Sequence, residues 1–297
     1  MVIAGLAATV ACASALAQDL DYVSSIEAAR AERVERLKRE DGWLTLVGLH
    51  FLKEGSSTVG RARDNAIVLA DGPEHWGTVT LAADGAVSFV SMSGEAVSVD
   101  DSHIMSGEPV RIDRAKGRPA VVRAGTVSFF VIERGVRKAL RVRDSASPRR
   151  THFAGIDYFP IDPTWRVDAR WVPFESPREI AVPNVLGVVS HERVTGKLVF
   201  EREGRTHELI PLVDADDGSL FLIFSDTTSG EGTYGMRFLY AEAAKDGRVV
   251  LDFNLAINPP CAFTPFATCP LPPQGNGLAT AVSAGEKQYR GSHDSSS

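Results

Sequence analysis

The chain has 297 residues, of which 44% are hydrophobic and 24% are charged. These proportions are typical of a globular protein with a hydrophobic core, and the length is sufficient for two domains. With 32 Lys and Arg against 38 Asp and Glu, the net charge of −6 argues against a nucleic-acid-binding protein, which usually has a basic surface. The same totals exclude collagen, a coiled coil, a disordered chain and a protein with several membrane spans.

Residues 1–17 are apolar and uncharged, and Ala15-Leu16-Ala17 fits the small-x-small pattern that signal peptidase recognises. The segment is short for a transmembrane helix, which needs about 20 apolar residues. We therefore predict a signal peptide over 1–17 and an exported protein, periplasmic or secreted, with no membrane span in the mature chain. A minor alternative takes Thr9-Val10-Ala11-Cys12 as a weak lipobox, which would make the protein a lipoprotein anchored through Cys12.

Residues 19–40 have the pattern of one amphipathic helix. Val23, Ile26, Val34 and Leu37 recur at helical spacing, and Glu and Arg residues occupy the opposite face. Because such a helix buries only its apolar face, we expect it to pack on a larger body.

After Gly42 the hydrophobic period changes to two, which is typical of β-strands. The predicted strands are Trp43–Leu52, Ala66–Ala70, Thr78–Leu81, Ala86–Val90, Val110–Asp113, Ala120–Val122, Thr126–Glu133, Lys138–Arg143, Trp165–Phe174, Glu179–Val182, Lys197–Glu203, Thr206–Leu212, Ser219–Phe224, Met236–Glu242 and Arg248–Phe253, with turns at Asp84-Gly85, Lys116-Gly117, Arg134-Gly135, Asp217-Gly218 and Asp246-Gly247. No helices alternate with these strands, so we predict a mainly β fold. It consists of two packed antiparallel β sandwich-like or barrel-like halves, 41–137 and 138–289, after one N-terminal amphipathic helix. The polar residues 290–297 are predicted to form a disordered tail.

The segment Gly55–Leu69 reads GSSTVGRARDNAIVL. It resembles the opening of a forkhead-associated domain, in which Gly-Arg ends one strand and Asn-x-Ile-x-Leu begins the next. In that family the arginine, here Arg61, helps to hold phosphothreonine. This chain has Gly72-Pro73-Glu74-His75-Trp76 where the family has Ser-Arg-x-x-His. The resemblance therefore implies a degenerate forkhead-associated-like half that does not bind phosphopeptides.

Two later segments combine charged and apolar residues. Residues 133–150 contain an excess of Arg and Lys, and Arg141 and Arg143 would share one face of a strand. This segment could attract a carboxylate or phosphate, or it could be a solvated strand face with cross-strand ion pairs. Residues 153–174 place aromatic side chains beside Asp and Arg, a mixture that lines a ligand pocket or forms an inter-domain seam.

Residues 252–273 read DFNLAINPPCAFTPFATCPLPP and are rich in proline. Proline stiffens the backbone, which favours a fixed arrangement of side chains over a flexible connector. Cys261 and Cys269 could form a disulfide in an oxidising compartment, remain as buried thiols, or include a catalytic or metal-bound cysteine. Because a tetrahedral zinc site would need two ligands besides these cysteines, we predict no metal site. We also predict no cofactor.

The C-terminal half resembles the bacterial domain-of-unknown-function family 1684. Three segments carry the resemblance: LRVRDSASPRRTHFAGIDYFPIDPTWRVDARW (Leu140–Trp171), FSDTTSGEGTYGMRFLY (Phe224–Tyr240), and VVLDFNLAINPPCAFTPFATCPLPP followed by AGEK (Val249–Lys287). The resemblance implies a domain of unassigned activity. Leu255 stands where the family commonly has a basic residue, and Ile257 stands where it commonly has tyrosine.

Three functions fit these patterns. The first is binding of a small anionic ligand in a pocket formed by the 252–273 loop and the 153–174 segment. The residues predicted to bind are Arg141, Arg166 and Arg170, which would engage the anion, and Asp252, Asn254 and Asn258, which would orient it. The second is a hydrolase-type enzyme that uses Cys261 or an Asp252-centred site, although the chain contains no G-x-S-x-G or H-E-x-x-H signature. The third is a structural or interaction module of the cell envelope.

Overall fold

The computed structural model describes residues 4–92, 96–113, 118–213 and 216–291, with side chains from Leu20 onward. The chain divides into two compact units. Within the described residues, unit 1 comprises 4–36, 154–262 and 268–291, and unit 2 comprises 37–153 and 263–267. Each unit is therefore assembled from parts of the chain that lie far apart in sequence.

A single long helix, α1 (Ala4–Lys38), opens the chain. Its buried positions Ile26, Arg33 and Leu37 follow helical spacing. The predicted N-terminal helix is present, but it spans Ala4–Lys38 and not 19–40, and its buried face includes an arginine. The predicted signal peptide, 1–17, lies outside the residues whose side chains are described. Among the helices that the structure describes, none has the length and apolar character to cross a membrane.

Unit 2 contains two sheets. Its strands are β1 (Leu46–Phe51), β2 (Gly55–Gly60), β3 (Ile67–Val68), β4 (Gly77–Leu81), β5 (Val87–Ser91), β6 (Ser98–Val99), β7 (Ser102–His103), β8 (Pro109–Arg111), β9 (Val122–Ala124), β10 (Val127–Arg134) and β11 (Arg137–Asp144), and a short helix, α2 (Pro148–Thr151), follows. The strand orders are β1-β11-β10-β9-β6-β7 and β3-β2-β4-β5-β8. Both sheets contribute to one core, in which Trp76 and Phe89 pack edge-to-face on Phe129 at centroid distances of 5.0 and 5.4 Å.

The division between the units differs from the predicted boundary after residue 137. Strand β11 begins at Arg137 and pairs with β10 and β1 along its length, so it belongs to unit 2. The main chain passes from unit 2 to unit 1 between Phe153 and Ala154. The predicted turn at Lys116-Gly117, and the predicted tail from residue 292 on, lie outside the described residues.

Unit 1 packs two further sheets around its own core. The strands are β12 (Arg166–Pro183), β13 (Val189–Arg202), β14 (Arg205–Leu209), β15 (Leu212–Val213), β16 (Leu220–Phe224), β17 (Arg237–Ala241) and β18 (Arg248–Asp252), in the orders β14-β13-β12-β18 and β15-β16-β17. Two predicted strands, Trp165–Phe174 and Glu179–Val182, form the single strand β12, whose register shifts between Pro173 and Arg178. The mainly β fold class with one N-terminal helix is confirmed.

Candidate functional site

The register of β12 against β18 places Arg166 opposite Asp252. In β12 the buried residues Trp165 and Ala169 alternate with exposed residues, because successive side chains of a strand point to opposite faces. Arg166 and Arg170 therefore share the outward face of this sheet.

Asp252 is held in a network of hydrogen bonds. The hydroxyl of Tyr22, on α1, lies 3.0 and 2.9 Å from its two carboxylate oxygens. The side-chain amide of Asn254 donates to the Tyr22 hydroxyl at 2.9 Å and to Asp252 Oδ1 at 3.1 Å. The backbone N–H of Asn254 also donates to Asp252 Oδ1, at 3.1 Å. Burial and the neighbouring carboxylate raise the pKa of Tyr22, so its hydroxyl stays protonated and acts as a donor.

Arg166 and Arg30 both interact electrostatically with this carboxylate. Arg166 Nε is 4.0 Å from Asp252 Oδ2, and the Arg166 side chain is 53% exposed. Arg30, on α1, stacks on the ring of Tyr158 at 4.4 Å and donates to the Phe159 carbonyl at 3.1 Å. Burial lowers the pKa of Arg30, whereas Tyr158, Glu27, Tyr22 and Asp252 raise it, in that order of strength. We call Tyr22, Arg30, Arg166, Asp252 and Asn254 the Asp252 cluster.

Asn258 belongs to a deeper, fully buried network. Its backbone N–H donates to Glu286 Oε2 at 2.7 Å, and Arg33 Nε donates to Glu286 Oε1 at 3.0 Å. Arg33 also donates to the Asn258 carbonyl at 3.0 Å. Burial raises the pKa of Glu286, and Arg33 and the Asn258 N–H oppose that effect. These bonds give Asn258 a role in fixing the backbone of the proline-rich loop.

Arg141 is not part of this cluster of unit 1. It lies on β11, which pairs with β10 and β1 in unit 2, and only 5% of the residue is exposed. The other residues predicted to bind, Arg166, Arg170, Asp252, Asn254 and Asn258, lie in unit 1, so one site formed by all six stays a prediction. The pairing of β11 with β1 and β10 places Arg141 in unit 2, and hydrophobic periodicity alone does not specify strand pairing.

Cys261 and Cys269 form a disulfide with a Cα–Cα distance of 6.1 Å, which confirms the first of the three alternatives predicted for them. The N–H of Cys261 lies 3.1 Å from Cys269 Sγ, and the N–H of Cys269 lies 3.3 Å from Cys261 Sγ. A sulfur in a disulfide is not a thiolate, so this arrangement disfavours Cys261 as a nucleophile. Within the described ranges there is no group of three or more His, Cys, Asp or Glu side chains placed to hold a metal ion.

Sequence reasoning missed four residues of these networks, namely Tyr22, Arg30, Arg33 and Glu286. The first three have helical spacing with the buried Ile26, which places them on the packing face of α1. This helical spacing in the sequence could have indicated that Tyr22, Arg30 and Arg33 lie on the same face of the helix as Ile26. Arginine on a helix is usually assigned to the solvent face, however, so the pattern gave no reason to expect Arg33 in the interior.

A family model described as protein of unknown function (DUF1684) matches residues 151–287. The chain is also similar to the solution NMR structure of an uncharacterized protein of Haloarcula marismortui, with 35% identity over 46% of this chain and 78% of that chain, at a TM-score of 0.39. A match to Rad53 1–466 in complex with AMP-PNP has 8% identity and covers 74% of this chain and 51% of that chain. Its TM-score of 0.18 gives no support for a shared fold. A search of the curated proteins found no match.

The matched region includes the aromatic segment, the proline-rich loop and Glu286. It thus confirms the resemblance of the C-terminal half, whereas the forkhead-associated-like character of the N-terminal half stays a prediction. Residues 151–287 are thus similar to the DUF1684 family of proteins of unknown function.

Proposed function

We propose that unit 1 binds a small anionic ligand at the Asp252 cluster, with Arg166 as the principal contact. The observation that carries this proposal is the half-exposed guanidinium of Arg166, whose Nε lies 4.0 Å from the Asp252 carboxylate and is therefore not hydrogen-bonded to it. Arg166 is half-exposed, so an incoming carboxylate or phosphate can reach its fork of N–H donors.

The carboxylate of Asp252 is already satisfied by Tyr22 and Asn254. Its contact with Arg166, at 4.0 Å, is longer than a hydrogen bond. The guanidinium of Arg166 is therefore oriented by Asp252 and keeps donor capacity for a ligand. Arg170 extends the positive charge along the same face of β12.

The same geometry favours binding over the two hydrolase arrangements. The disulfide removes Cys261 as a thiolate, and in the Asp252-centred arrangement the carboxylate already accepts hydrogen bonds from Tyr22 and Asn254. A network in which every hydrogen bond orients a neighbouring side chain is what a pre-organised binding site requires.

Isothermal titration calorimetry with inorganic phosphate and with succinate tests this proposal. Wild-type protein should bind at least one of the two anions, and Arg166→Gln should weaken that binding at least tenfold, since it removes the charge and the bidentate donor.

Arg248→Gln is the matched control. Arg248 lies on the outward face of the same sheet and is exposed to a similar degree, but its guanidinium is engaged by Asp168 at 3.0 Å. Its substitution should leave anion affinity unchanged. Equal affinities of wild type and Arg166→Gln for both anions would refute the proposal.

We infer that the protein is exported to an oxidising compartment. The Cys261–Cys269 disulfide supports this inference, since structural disulfides persist mainly outside the cytoplasm. Alkylation of free thiols in intact cells, followed by mass spectrometry, tests it. Both cysteines should resist alkylation until a reductant is added, and rapid alkylation of both in cytoplasmic extract would contradict export.

We also infer that unit 2 is a degenerate forkhead-associated-like domain without phosphopeptide binding. Arg61, the residue that corresponds to the phosphate contact, donates to Glu74 at 3.2 Å and to the Gly72 carbonyl at 3.4 Å. A phosphothreonine would have to compete with the Glu74 carboxylate for this guanidinium. Fluorescence anisotropy with a phosphothreonine peptide library should therefore show no binding to wild type.

A further inference from the structure

The end of the β12–β13 hairpin in unit 1 extends beyond the strands that flank it. β18 pairs with β12 over residues 166–170, and β14 pairs with β13 over residues 198–202. The pairing of β12 with β13 continues past both neighbours, as far as Pro183 opposite Val189. The chain reverses between these two residues, and we call residues 183–189 the hairpin tip.

The hairpin tip exposes aliphatic side chains. Val185, Leu186 and Val189 are 41%, 44% and 49% exposed. Residues 180–190, which include the tip, read IAVPNVLGVVS and contain no charged residue. Single exposed apolar residues are ordinary on a protein surface, whereas a cluster of them marks a surface that contacts another apolar body. The hairpin tip is therefore a candidate interaction surface.

The turn within the hairpin tip provides acceptors for its own backbone donors. The N–H of Asn184 donates to the Val188 carbonyl, and the N–H of Gly187 donates to the Asn184 carbonyl, each at 2.9 Å. The N–H groups of Leu186 and Val188 both donate to Asn184 Oδ1, at 2.9 and 3.1 Å. The Asn184 side chain therefore points towards the turn and binds two of its donors.

A second segment of unit 1 holds the hairpin tip in place. The remaining N–H of the turn, that of Val185, donates to the Cys269 carbonyl at 3.0 Å, and the N–H of Leu271 donates to the Pro183 carbonyl at 2.7 Å. Cys269 is joined to Cys261 by the disulfide, so this segment is fixed covalently. The tip is thus held in one conformation before it meets a partner, which reduces the entropy cost of binding.

The internal hydrogen bonds of this region favour lipid over protein as its partner. All N–H groups of residues 184–188 donate within the chain, and the Ser190 hydroxyl donates to the Val182 carbonyl at 3.3 Å. A protein–protein interface carries about one hydrogen bond per 100–200 Å², for which these donors are already used. The hydrocarbon of a bilayer offers no hydrogen bonds, so it requires backbone polar groups to be satisfied internally.

Ionisable residues begin at a fixed distance from the hairpin tip. His191 follows Val189 by two residues, and Glu179 lies opposite Arg193, four residue pairs from Pro183 and Val189. At about 3.3 Å per residue, these positions are roughly 7 and 13 Å from the base of the turn. Interfacial segments insert their apolar face about 5–10 Å into the boundary between headgroups and acyl chains. The Glu179 and Arg193 side chains would therefore lie among the headgroups.

We propose that the hairpin tip inserts into the surface of a lipid bilayer, with Val185, Leu186 and Val189 in contact with the acyl chains. The nearest charges, Glu179 and Arg193, have opposite signs, so the driving force is the burial of apolar surface and a zwitterionic lipid is sufficient. The insertion is peripheral, because only the turn enters the bilayer. It does not require the anion site proposed at the Asp252 cluster.

Flotation with phosphatidylcholine vesicles tests the proposal. The chain should begin at Gln18, so that the apolar residues 1–17 cannot contribute to lipid binding. Wild type should float with these vesicles, and to a similar extent in high salt or when the vesicles also contain phosphatidylglycerol. Val185→Asp and Leu186→Asp should each lower the partition coefficient at least tenfold, because a carboxylate is costly to place in an apolar layer.

Two controls make the result specific to the hairpin tip. Val68→Asp changes a valine on β3 of unit 2 that is 43% exposed, close to the 44% of Leu186, and it should float like wild type. Arg166→Gln should also float like wild type, which separates this surface from the anion site.

Three results would overturn the proposal. The first is no flotation of wild type, or equal flotation of wild type and both hairpin-tip variants. The second is flotation that requires phosphatidylglycerol and disappears in high salt, since it would indicate a charged surface. The third comes from sedimentation velocity without lipid, where a dimer that Leu186→Asp dissociates would assign the tip to a second copy of this chain.

Discussion

Asp226 and Arg237 form an ion pair in which both side chains are fully buried, with an N–O distance of 2.7 Å. Arg237 also donates to the carbonyls of Ala284, at 2.5 Å, and Val282, at 2.9 Å. Asp226 accepts from the hydroxyl of Thr228 at 2.6 Å. Each charge thus has several partners, which is the condition under which a buried ion pair is tolerated.

Removal of either partner of the Asp226–Arg237 ion pair should lower the free energy of unfolding. We expect Arg237→Met to lower the free energy of unfolding by about 3–5 kcal/mol, because it leaves the Asp226 carboxylate buried without a counter-ion. Urea denaturation followed by circular dichroism measures this change. Arg248→Met, which removes an exposed partner of Asp168, should leave the denaturation midpoint unchanged. Equal midpoints for the two variants would contradict this reading of the pair.

Asp113 makes part of the stability of unit 2 dependent on pH. Burial would raise its pKa, but hydrogen bonds from the Val87 N–H, Lys138 and Arg111 outweigh burial and lower it below its usual range. A depressed pKa in the folded state means that the stabilisation is complete above the unfolded value near 4 and is lost as pH falls through the folded value. Thermal denaturation of wild type between pH 7 and pH 2 should show this loss.

Asp113→Asn isolates the contribution of that carboxylate. Its amide can still accept from the Val87 N–H, but it loses the charge-assisted bonds to Lys138 and Arg111, at 3.1 Å each. We expect the variant to be less stable at pH 7 by about 1 kcal/mol and to lose less stability below pH 4. Parallel acid profiles for the variant and wild type would show that this carboxylate does not contribute.

The disulfide between Cys261 and Cys269 closes a short loop, and several residues inside this loop are buried. Thr264 lies inside this loop, is fully buried, and donates to the Leu46 carbonyl at 3.1 Å. Phe263 packs edge-to-face on Phe153 at 6.4 Å. The loop therefore contributes buried contacts to unit 2 in addition to its disulfide.

We expect Cys261→Ser/Cys269→Ser to lower the free energy of unfolding by about 2.5 kcal/mol, the loop-entropy value for a closed loop of this size. Guanidinium titrations with and without dithiothreitol measure the effect. Reductant should destabilise wild type by a similar amount and leave the double variant unchanged. A stability of wild type that does not respond to reductant would argue against a structural contribution from the bond.

The elements were largely predictable because each one depends on local pattern and turn chemistry. The hairpin from β10 to β11 follows from alternating residues around Arg134-Gly135, where Gly135 has φ of 59°. The Asp252 cluster was predictable only in part. Arg166 and Asp252 were recognised as polar residues in unusual segments, but Tyr22 precedes Asp252 by 230 residues. No local pattern encodes a contact over that distance.

The organisation of the whole chain explains why the division between the units differs from the predicted boundary after residue 137. Unit 2 takes residues 37–153 and 263–267, and unit 1 takes the helix as well as the later strands. Composition and turn signals locate linkers, but they do not show that a short, late segment completes an earlier unit.

This organisation predicts how fragments of the chain behave. A fragment of residues 37–153 should be less stable than the same unit in the full chain, since it lacks the buried Phe263 and Thr264. A fragment ending at residue 137 should fail to fold, because it lacks nearly all of β11, which pairs with both β1 and β10. Amide exchange of the two fragments and the full chain measures this order. A stable, protected fragment of 41–137 would contradict it.

The distribution of each unit along the chain also sets the order of events during protein synthesis. Arg33 leaves the ribosome early, whereas its partner Glu286 follows 253 residues later. Unit 2 is likewise incomplete until residues 263–267 have been made, well after all of its strands. Unit 2 therefore reaches its full stability only after the strands of unit 1 have been made. Until residues 263–267 and Glu286 have been made, the apolar faces of the earlier strands are incompletely covered, and aggregation competes with folding during that interval.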